Sequence, residues 1–425
     1  MVCRKSRNMT IAFLTLGCKL NYAETSTYER GFKEAGLVPV SWRDKADVYL
    51  VNTCSVTAMS DSKSRNLIRK VHRINPEAII VVTGCSAQLR RSEIEAIEGV
   101  SLVFGCNSKS SVVPRTLELL GIKAAGNGPA DSDAGIFPAY STGERTRSFL
   151  KVQDGCNNYC KYCTVPYARG ESRNIPICVL VKQAEAIAAQ GVREIVLTGV
   201  NTGDFGRTTG ESFLDLLKAL DKVEGIERYR ISSIEPNLIT EEIIDWIASG
   251  TKFQPHFHIP LQTGSDELLS KMGRHYDTAF FRNRIEYIRK AMEAPGKPKV
   301  FFGIDLMVGL PGETDELFGQ TCGFLKEIRP AFIHVFPYSR RPGTPAADMP
   351  GQVDESVKNE RVAILEQLCE TLHAEFVESN RGIREKVLFE STDRKGRMEG
   401  YTGNYIRIER EYDPELSGKI VDVTI

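Results

Sequence analysis

Three cysteines crowd into eight residues at Cys156-Asn-Asn-Tyr-Cys160-Lys-Tyr-Cys163. Spaced C-x3-C-x2-C, they can present three thiolates from a single loop. A structural zinc site wants four ligands, usually as two pairs. No fourth Cys or His lies nearby, and the next cysteine, Cys178, falls in a predicted helix. Three thiolates suit three irons of a 4Fe–4S cluster and leave one iron open to a ligand that can also react. A zinc site or three unrelated core cysteines are the bland alternatives. The loop's position directly after a predicted strand, and Tyr162 beside Cys163, weigh against both.

A second set is dispersed. Cys18, Cys54 and Cys85 each stand just past a predicted strand, in Leu16-Gly-Cys18, Val51-Asn-Thr-Cys54 and Val82-Thr-Gly-Cys85. Separations of 36 and 31 residues exclude a local loop site. In a parallel sheet, however, the carboxyl ends of all strands open on one edge, where ligands bind. Three distant stretches therefore deliver three thiols to one rim. Cys106, after the fourth predicted strand, is either a further member or a turn residue. Cys3, Cys178, Cys322 and Cys369 have no comparable partners, and a free cysteine behaves as a small hydrophobe. An odd total of eleven cysteines argues for reduced thiols and against a disulfide framework.

Both sets depend on the elements that carry them. Between residues 10 and 120, strands are predicted at Ile11–Leu16, Val48–Val51, Ile79–Thr83 and Leu102–Phe104. Helices are predicted at Ala23–Ala35, Ala58–Ile74, Ser92–Ile97 and Ser110–Leu120. Such alternation implies a doubly wound parallel α/β domain, residues 1–120. Residues 121–147, rich in Gly, Ala, Asp and Pro around Ala124–Gly135, read as a linker. A second alternating series follows over 148–380. Its predicted strands are Phe149–Gln153, Glu194–Thr198, Tyr229–Ser233, His256–Pro260, Val300–Val308 and Phe332–Phe336. Six βα units fall short of a closed eightfold barrel, so a partial (β/α)6 barrel is expected. A long helix over Glu355–Asn380 leads out of it. Residues 381–425 hold three short alternating runs, Lys386–Glu390, Tyr405–Glu409 and Lys419–Thr424, between glycines, and read as a small all-β barrel module.

Composition narrows the partners. With 55 basic and 55 acidic residues the net charge is zero, so bulk electrostatics does not advertise nucleic acid. Even the last 45 residues balance nine against nine. No apolar run approaches the ~18 residues of a membrane helix. The apolar stretch Thr10–Leu16 behind Arg4, Lys5 and Arg7 is too short to favour an export signal, which makes the cytoplasm the expected location; Met9 is an alternative start to Met1. Local basic patches remain: Arg65, Arg69 and Arg73 fall at i, i+4 spacing on one predicted helix, beside Lys63 and Lys70. A solvated helix face is the simpler reading of that patch. Tyr401 and Tyr405 suit either base stacking or strand packing.

The cysteine loop resembles the signature of radical S-adenosylmethionine enzymes. The order of the whole chain resembles the methylthiotransferases within them. Thr15–Asn21, Asn52–Thr57, Thr83–Gln88, Arg230–Pro236, Ile259–Asp266, Gly309–Thr314 and His334–Thr344 carry that resemblance over roughly residues 9–425. Family members act on modified tRNA adenosines or on a ribosomal-protein aspartate. Cys18-Lys-Leu-Asn21 and Ser232-Ser-Ile-Glu-Pro236 look like the branch acting on N6-threonylcarbamoyladenosine. The isopentenyladenosine and ribosomal branches, and a non-enzymatic iron–sulfur or RNA-binding protein, stay open as alternatives.

The resemblance implies a cytoplasmic transferase that installs a methylthio group at carbon 2 of the modified base. It implies two 4Fe–4S clusters, one on Cys156, Cys160 and Cys163 and an auxiliary one on Cys18, Cys54 and Cys85. It implies two equivalents of S-adenosylmethionine per product, one for methylation and one for the radical. Cofactor contacts are expected at Tyr162, Gly199, Asn201, Ser233, Glu235, Gly309 and Gly312, because barrel sites assemble at strand ends. The trailing module resembles the TRAM domain, a tRNA-reading module. Implied partners are tRNA and a flavodoxin- or ferredoxin-like electron donor, with no membrane and a monomeric state.

Overall fold

A computed structural model describes residues 9–122, 135–143 and 146–425. Cys3, the choice between Met1 and Met9, and most of the expected linker lie outside the described residues.

The N-terminal sheet consists of β1 (Thr10–Thr15), β2 (Val38–Pro39), β3 (Val48–Thr53), β4 (Ile79–Gly84) and β5 (Val100–Phe104). They pair in the order β2-β1-β3-β4-β5, every pair parallel. All six residues of β3 are buried, the continuous run expected of a strand covered on both faces. On one face Tyr28 and Phe32 of helix Lys19–Glu34 pack with Val112, Val113 and Leu117 of helix Val112–Leu119. On the other, Ile68 and Val71 of helix Ala58–Ile74 pack with Ile94 and Ile97. The doubly wound expectation therefore holds, and β2 is an edge strand not foreseen. The order reverses between β1 and β3, which opens a crevice at their carboxyl ends.

The barrel uses β6 (Arg147–Lys151), a two-residue hairpin of β7 (Gln153–Asp154) with β8 (Arg173–Asn174), and then β9 (Glu194–Thr198) and β10 (Arg228–Ile231). It continues with β11 (His256–His258), β12 (Phe301–Val308) and β13 (Phe332–Pro337). Two parallel three-stranded sheets, β10-β9-β6 and β11-β12-β13, meet where Tyr229 bridges Phe253 and Ile234 N–H donates to the His258 carbonyl at 3.1 Å. Six strands thus form an open barrel around one apolar core. Helix Glu355–Glu378 follows and packs Leu365, Cys369 and Leu372 into it.

Two expectations need correction. Residues 136–141 are not free linker: Ile136, Phe137 and Ala139 are buried, Phe137 stacks on Tyr28, and Lys151 N–H donates to the Ala139 carbonyl at 2.9 Å. Apolar side chains immediately after the glycine-rich stretch strap the N-terminal helix to β6. The C-terminal module has four strands, β14 (Arg384–Phe389), β15 (Arg397–Thr402), β16 (Arg407–Glu411) and β17 (Ile420–Thr424), in an open antiparallel sheet ordered β16-β15-β14-β17. The strand predicted from Tyr405 starts only at Arg407, because Tyr405 turns the chain with φ +65°.

Candidate active site

The β7–β8 hairpin closes the neck of the cysteine loop. Gly155 begins it at φ +77°, and a Cβ there would stand 1.9 Å from the Glu171 carbonyl oxygen, so only glycine fits. Cys156 N–H donates to the Gly170 carbonyl, and Cys163 N–H to the Cys160 carbonyl. Two further backbone donors aim at sulfur: Asn158 N–H at Cys156 Sγ, 3.5 Å, and Val165 N–H at Cys163 Sγ, 3.4 Å. Burial pushes the Cys156 thiol up to about 11 and the Cys163 thiol up to about 12. Such sulfurs ionise only against a compensating cation, and N–H donors suit the thiolate once formed. This donor set fits an iron–sulfur cluster.

At the N-terminal rim, Gly17 (φ +97°) lies against Cys54; a Cβ would come within 2.7 Å of the Cys54 Cβ. Cys18 caps helix Lys19–Glu34, Cys54 follows β3, and Cys85 opens the short helix Cys85–Leu89. Asn21, buried, ties the strand ends together: its Nδ2 donates to the Leu16 carbonyl at 2.8 Å and the Thr53 carbonyl at 2.9 Å. Thr53 Oγ1 donates to the Thr83 carbonyl at 2.6 Å. Burial raises the Cys54 thiol to about 11. Cys106 proves to be a neighbour: it packs with Cys85 and Ala168. The hydrogen bond between the two sulfurs pushes Cys85 up and Cys106 down.

The two rims face each other. Thr164 Oγ1, next to Cys163, donates to the carbonyl of Ser55, next to Cys54, at 3.3 Å. Buried Arg341 donates to Ser55 Oγ at 2.9 Å and pairs with Asp61. Arg169 donates to Asn21 Oδ1 at 2.6 Å and to Asp154 at 2.8 Å. Glu24 accepts from Lys109 at 2.6 Å and Lys151 at 2.9 Å. Burial would raise the Glu24 carboxyl, but Lys109, Lys151 and Arg169 overcome it and hold it at about 2.

The other expected contacts divide. Gln153 accepts at Oε1 from Val200 N–H (2.9 Å) and Asn201 N–H (3.0 Å), while its Nε2 donates to the Gly155 carbonyl at 2.7 Å. That one side chain joins the Gly199–Asn201 turn to the cysteine loop. Asn201 Oδ1 accepts from Glu235 N–H at 3.4 Å, and Glu235 pairs with Arg274. Arg274 in turn reaches Cys160 Sγ at 3.0 Å and the Tyr162 hydroxyl at 3.3 Å. Ser233 contributes its carbonyl to Thr202. Gly309 and Gly312 stand apart: Gly309 N–H donates to Glu313 and Gly312 N–H to the Gly351 carbonyl at 2.7 Å. Leu310 of their turn packs in one cluster with Tyr162 of the cysteine loop. Gln153, Arg274, Arg169 and Asn21 escaped the sequence reading; Asn21 alone carried a signal, as the last residue of the Cys18 stretch.

A cavity of about 890 Å³ occupies the barrel lumen below these strand ends. Cys18 and Lys19 form one wall, Arg147, Arg230, His258 and His334 rise from the strands, and Tyr401, Tyr405 and Arg407 close it from the C-terminal module. Cys156, Cys160 and Cys163 do not line it. His258 Nε2 stands 2.8 Å from Asp305, and the His258 and His334 rings stack at 5.2 Å. Burial and His258 lower the His334 pKa, which leaves its imidazole neutral at pH 7. Arg147 lies over the Tyr401 ring at 4.8 Å and donates to the Tyr405 hydroxyl at 3.0 Å. These tyrosines pack within the protein and also show a face to the cavity.

Comparison with known proteins agrees with this geometry. The radical SAM superfamily model matches residues 150–325, and the model described as uncharacterized protein family UPF0004 matches residues 10–105. The threonylcarbamoyladenosine tRNA methylthiotransferase MtaB of Bacillus subtilis is 41% identical over 98% of this chain and 93% of its own length. Its namesake from Aquifex aeolicus is 37% identical over 98% of this chain and 100% of its own. The tRNA-2-methylthio-N(6)-dimethylallyladenosine synthase of Pelotomaculum thermopropionicum is 32% identical over 97% of this chain and 94% of its own. Among solved structures, the radical S-adenosylmethionine methyltransferase TsrM from Kitasatospora setae superposes with a TM-score of 0.58 at 15% identity, covering 80% of this chain and 77% of that one, a likeness of fold alone. With relatives of this identity along nearly the whole chain, and two facing thiol rims on a radical SAM barrel, the protein belongs to the tRNA methylthiotransferase family of radical S-adenosylmethionine enzymes.

Proposed function

We propose that this enzyme converts N6-threonylcarbamoyladenosine next to the anticodon of tRNA, adenosine 37, into its 2-methylthio derivative. The observation that carries this reading is the 41% identity to the Bacillus subtilis enzyme of that name over 98% of the chain. In it, Cys156, Cys160 and Cys163 hold one 4Fe–4S cluster and Cys18, Cys54 and Cys85 a second. When bound, the clusters and two equivalents of S-adenosylmethionine supply the adenosyl radical and the methylated sulfur. The chain's own residues do the rest. Gln153 fixes the Gly199–Asn201 turn against the cysteine loop, and Glu235 and Arg274 orient polar groups beside Cys160. The lumen, about 890 Å³, has room for the flipped base.

Residues 1–120 form the auxiliary-cluster domain, 148–380 the radical domain and 381–425 the tRNA-contacting module of this scheme. It works as a cytoplasmic monomer supplied with electrons by a flavodoxin- or ferredoxin-like protein. No helix among the described residues is long and apolar enough to cross a membrane. Nucleoside mass spectrometry of tRNA from a strain lacking the gene, with and without its restoration, tests the proposal. Loss of 2-methylthio-threonylcarbamoyladenosine with accumulation of its precursor is expected. Loss of the isopentenyl derivative instead would assign the substrate of the dimethylallyl branch, to which 32% identity is also seen.

A further inference from the structure

We infer that Lys19 is the residue that recognises the substrate's charge, by receiving the carboxylate carried on the N6 substituent of the adenine. The inference rests on the proposed substrate. It starts from the cations of the lumen. Arg147 is committed to Glu390 at 2.6 Å, and Arg230 to Glu194 at 2.8 Å and the Gly403 and Thr402 carbonyls. Arg394 pairs with Glu399 at 3.2 Å, and Arg407 with Glu409 at 3.1 Å. Among the described residues, Lys19 alone of the lysines and arginines lining this cavity has neither a salt bridge nor a hydrogen bond. Asp305 is the carboxylate whose charge reaches Lys19; it makes no salt bridge to it and stands 2.8 Å from His258 Nε2.

The position of Lys19 also runs against its local structure. It is the first residue of a 16-residue helix with no acidic side chain in its first turn. Cations are disfavoured at that end. An ammonium held there without a salt bridge, with Arg147 and Arg230 beside it and Asp305 as the carboxylate that offsets them, stands in a positive potential that an anion relieves. Neutral substrates gain nothing from it.

Purine geometry selects which anion. Carbon 2 and the N6 substituent lie on the same edge of adenine, either side of N1. Cys18 and Lys19 are adjacent on the cavity wall. A base that presents its N1 edge to this wall brings carbon 2 and the N6 substituent to it together, one on the Cys18 side and one on the Lys19 side. A threonylcarbamoyl group carries a carboxylate there; an isopentenyl group does not.

The test uses the cluster-loaded enzyme and two anticodon stem-loop RNAs that differ only in whether the threonyl group ends in a carboxylate or a neutral amide. Without reductant, Kd is read for each by fluorescence anisotropy; with reductant, methylthiolated product is read by mass spectrometry. The wild type is expected to favour the acid by about tenfold or more. Lys19→Gln is expected to lower affinity for the acid to that for the amide while leaving the amide's Kd in place. A wild type that binds acid and amide alike overturns the inference without any variant, and so does a Lys19→Gln loss equal on both RNAs, which would mark a phosphate contact. If the wild type makes no product from the acid RNA, the proposed function fails, and the binding comparison still decides the role of Lys19.

Discussion

In the proposed two-cluster scheme, Cys160 and Cys54 should have opposite consequences when replaced, because they stand on different rims. Cys160→Ala is expected to abolish deoxyadenosine formation while iron and sulfide fall by about half. Cys54→Ala is expected to keep cleavage of S-adenosylmethionine and lose methylthiolated product. Normal product from Cys54→Ala would undo the two-cluster assignment. The thiols also set a pH dependence in the metal-free protein. Burial holds Cys54 and Cys156 at about 11 and Cys163 at about 12, above the ordinary thiol value near 8.5. The folded form then binds more protons than the unfolded one between these values. Stability contributed by the neutral thiols is full below about pH 8.5 and lost as pH rises toward 11. Urea midpoints of the metal-free chain should fall over that range, and a chain with Cys54, Cys156 and Cys163 changed to Ala should show a flatter profile.

At the scale of elements, hydropathy predicted most strands and helices because each buries a patterned face. It missed β15, whose Arg397-Met-Glu-Gly-Tyr-Thr402 buries only Met398, Gly400 and Thr402 among polar neighbours. The placement of both cysteine sets just past strand ends was legible too, since parallel strands share one edge. The pegs that hold those rims were not. Asn21, Gln153, Arg169 and Arg274 find partners 32, 47, 148 and 39 residues away, and local spacing carries no trace of such pairings. Glu24 is the test of the buried network between helix Lys19–Glu34 and β6. Glu24→Gln leaves Lys109, Lys151 and Arg169 with Asp154 as their shared carboxylate. Breaking a buried pair on one side costs about 3–5 kcal/mol. A urea midpoint within error of wild type would show that water already solvates these groups.

For the whole molecule, the C-terminal module acts as a counter-wall to the barrel. Arg228 donates to the Tyr401 carbonyl at 3.1 Å, and Arg230 to the carbonyls of Thr402 and Gly403. Both arginines are buried and share Glu194. A chain ending at Asn380 loses those acceptors, and each orphaned charged donor costs about 1–3 kcal/mol before water takes up part of it. Its melting temperature should drop by roughly 5 °C, and product formation should fall further than deoxyadenosine formation because the cavity is open on one side. Equal losses of both would mean that the module matters for stability alone.

The buried charge network also dictates an order of assembly. Its members come from both sides of the segment between the two units: Glu24 and Lys109 emerge from the ribosome first, Lys151, Asp154 and Arg169 later. Until Arg169 reaches Asn21, nothing from the barrel covers the edge that bears Cys18, Cys54 and Cys85. A nascent chain arrested shortly after residue 122 should therefore leave Cys54 and Cys85 open to alkylation, and one arrested after the barrel should protect them. In the finished protein that edge is covered unevenly: Cys54 and Cys85 are buried, while Cys18 stays exposed on the cavity wall, so a reagent that reaches the first two only in the nascent chain should reach Cys18 in both.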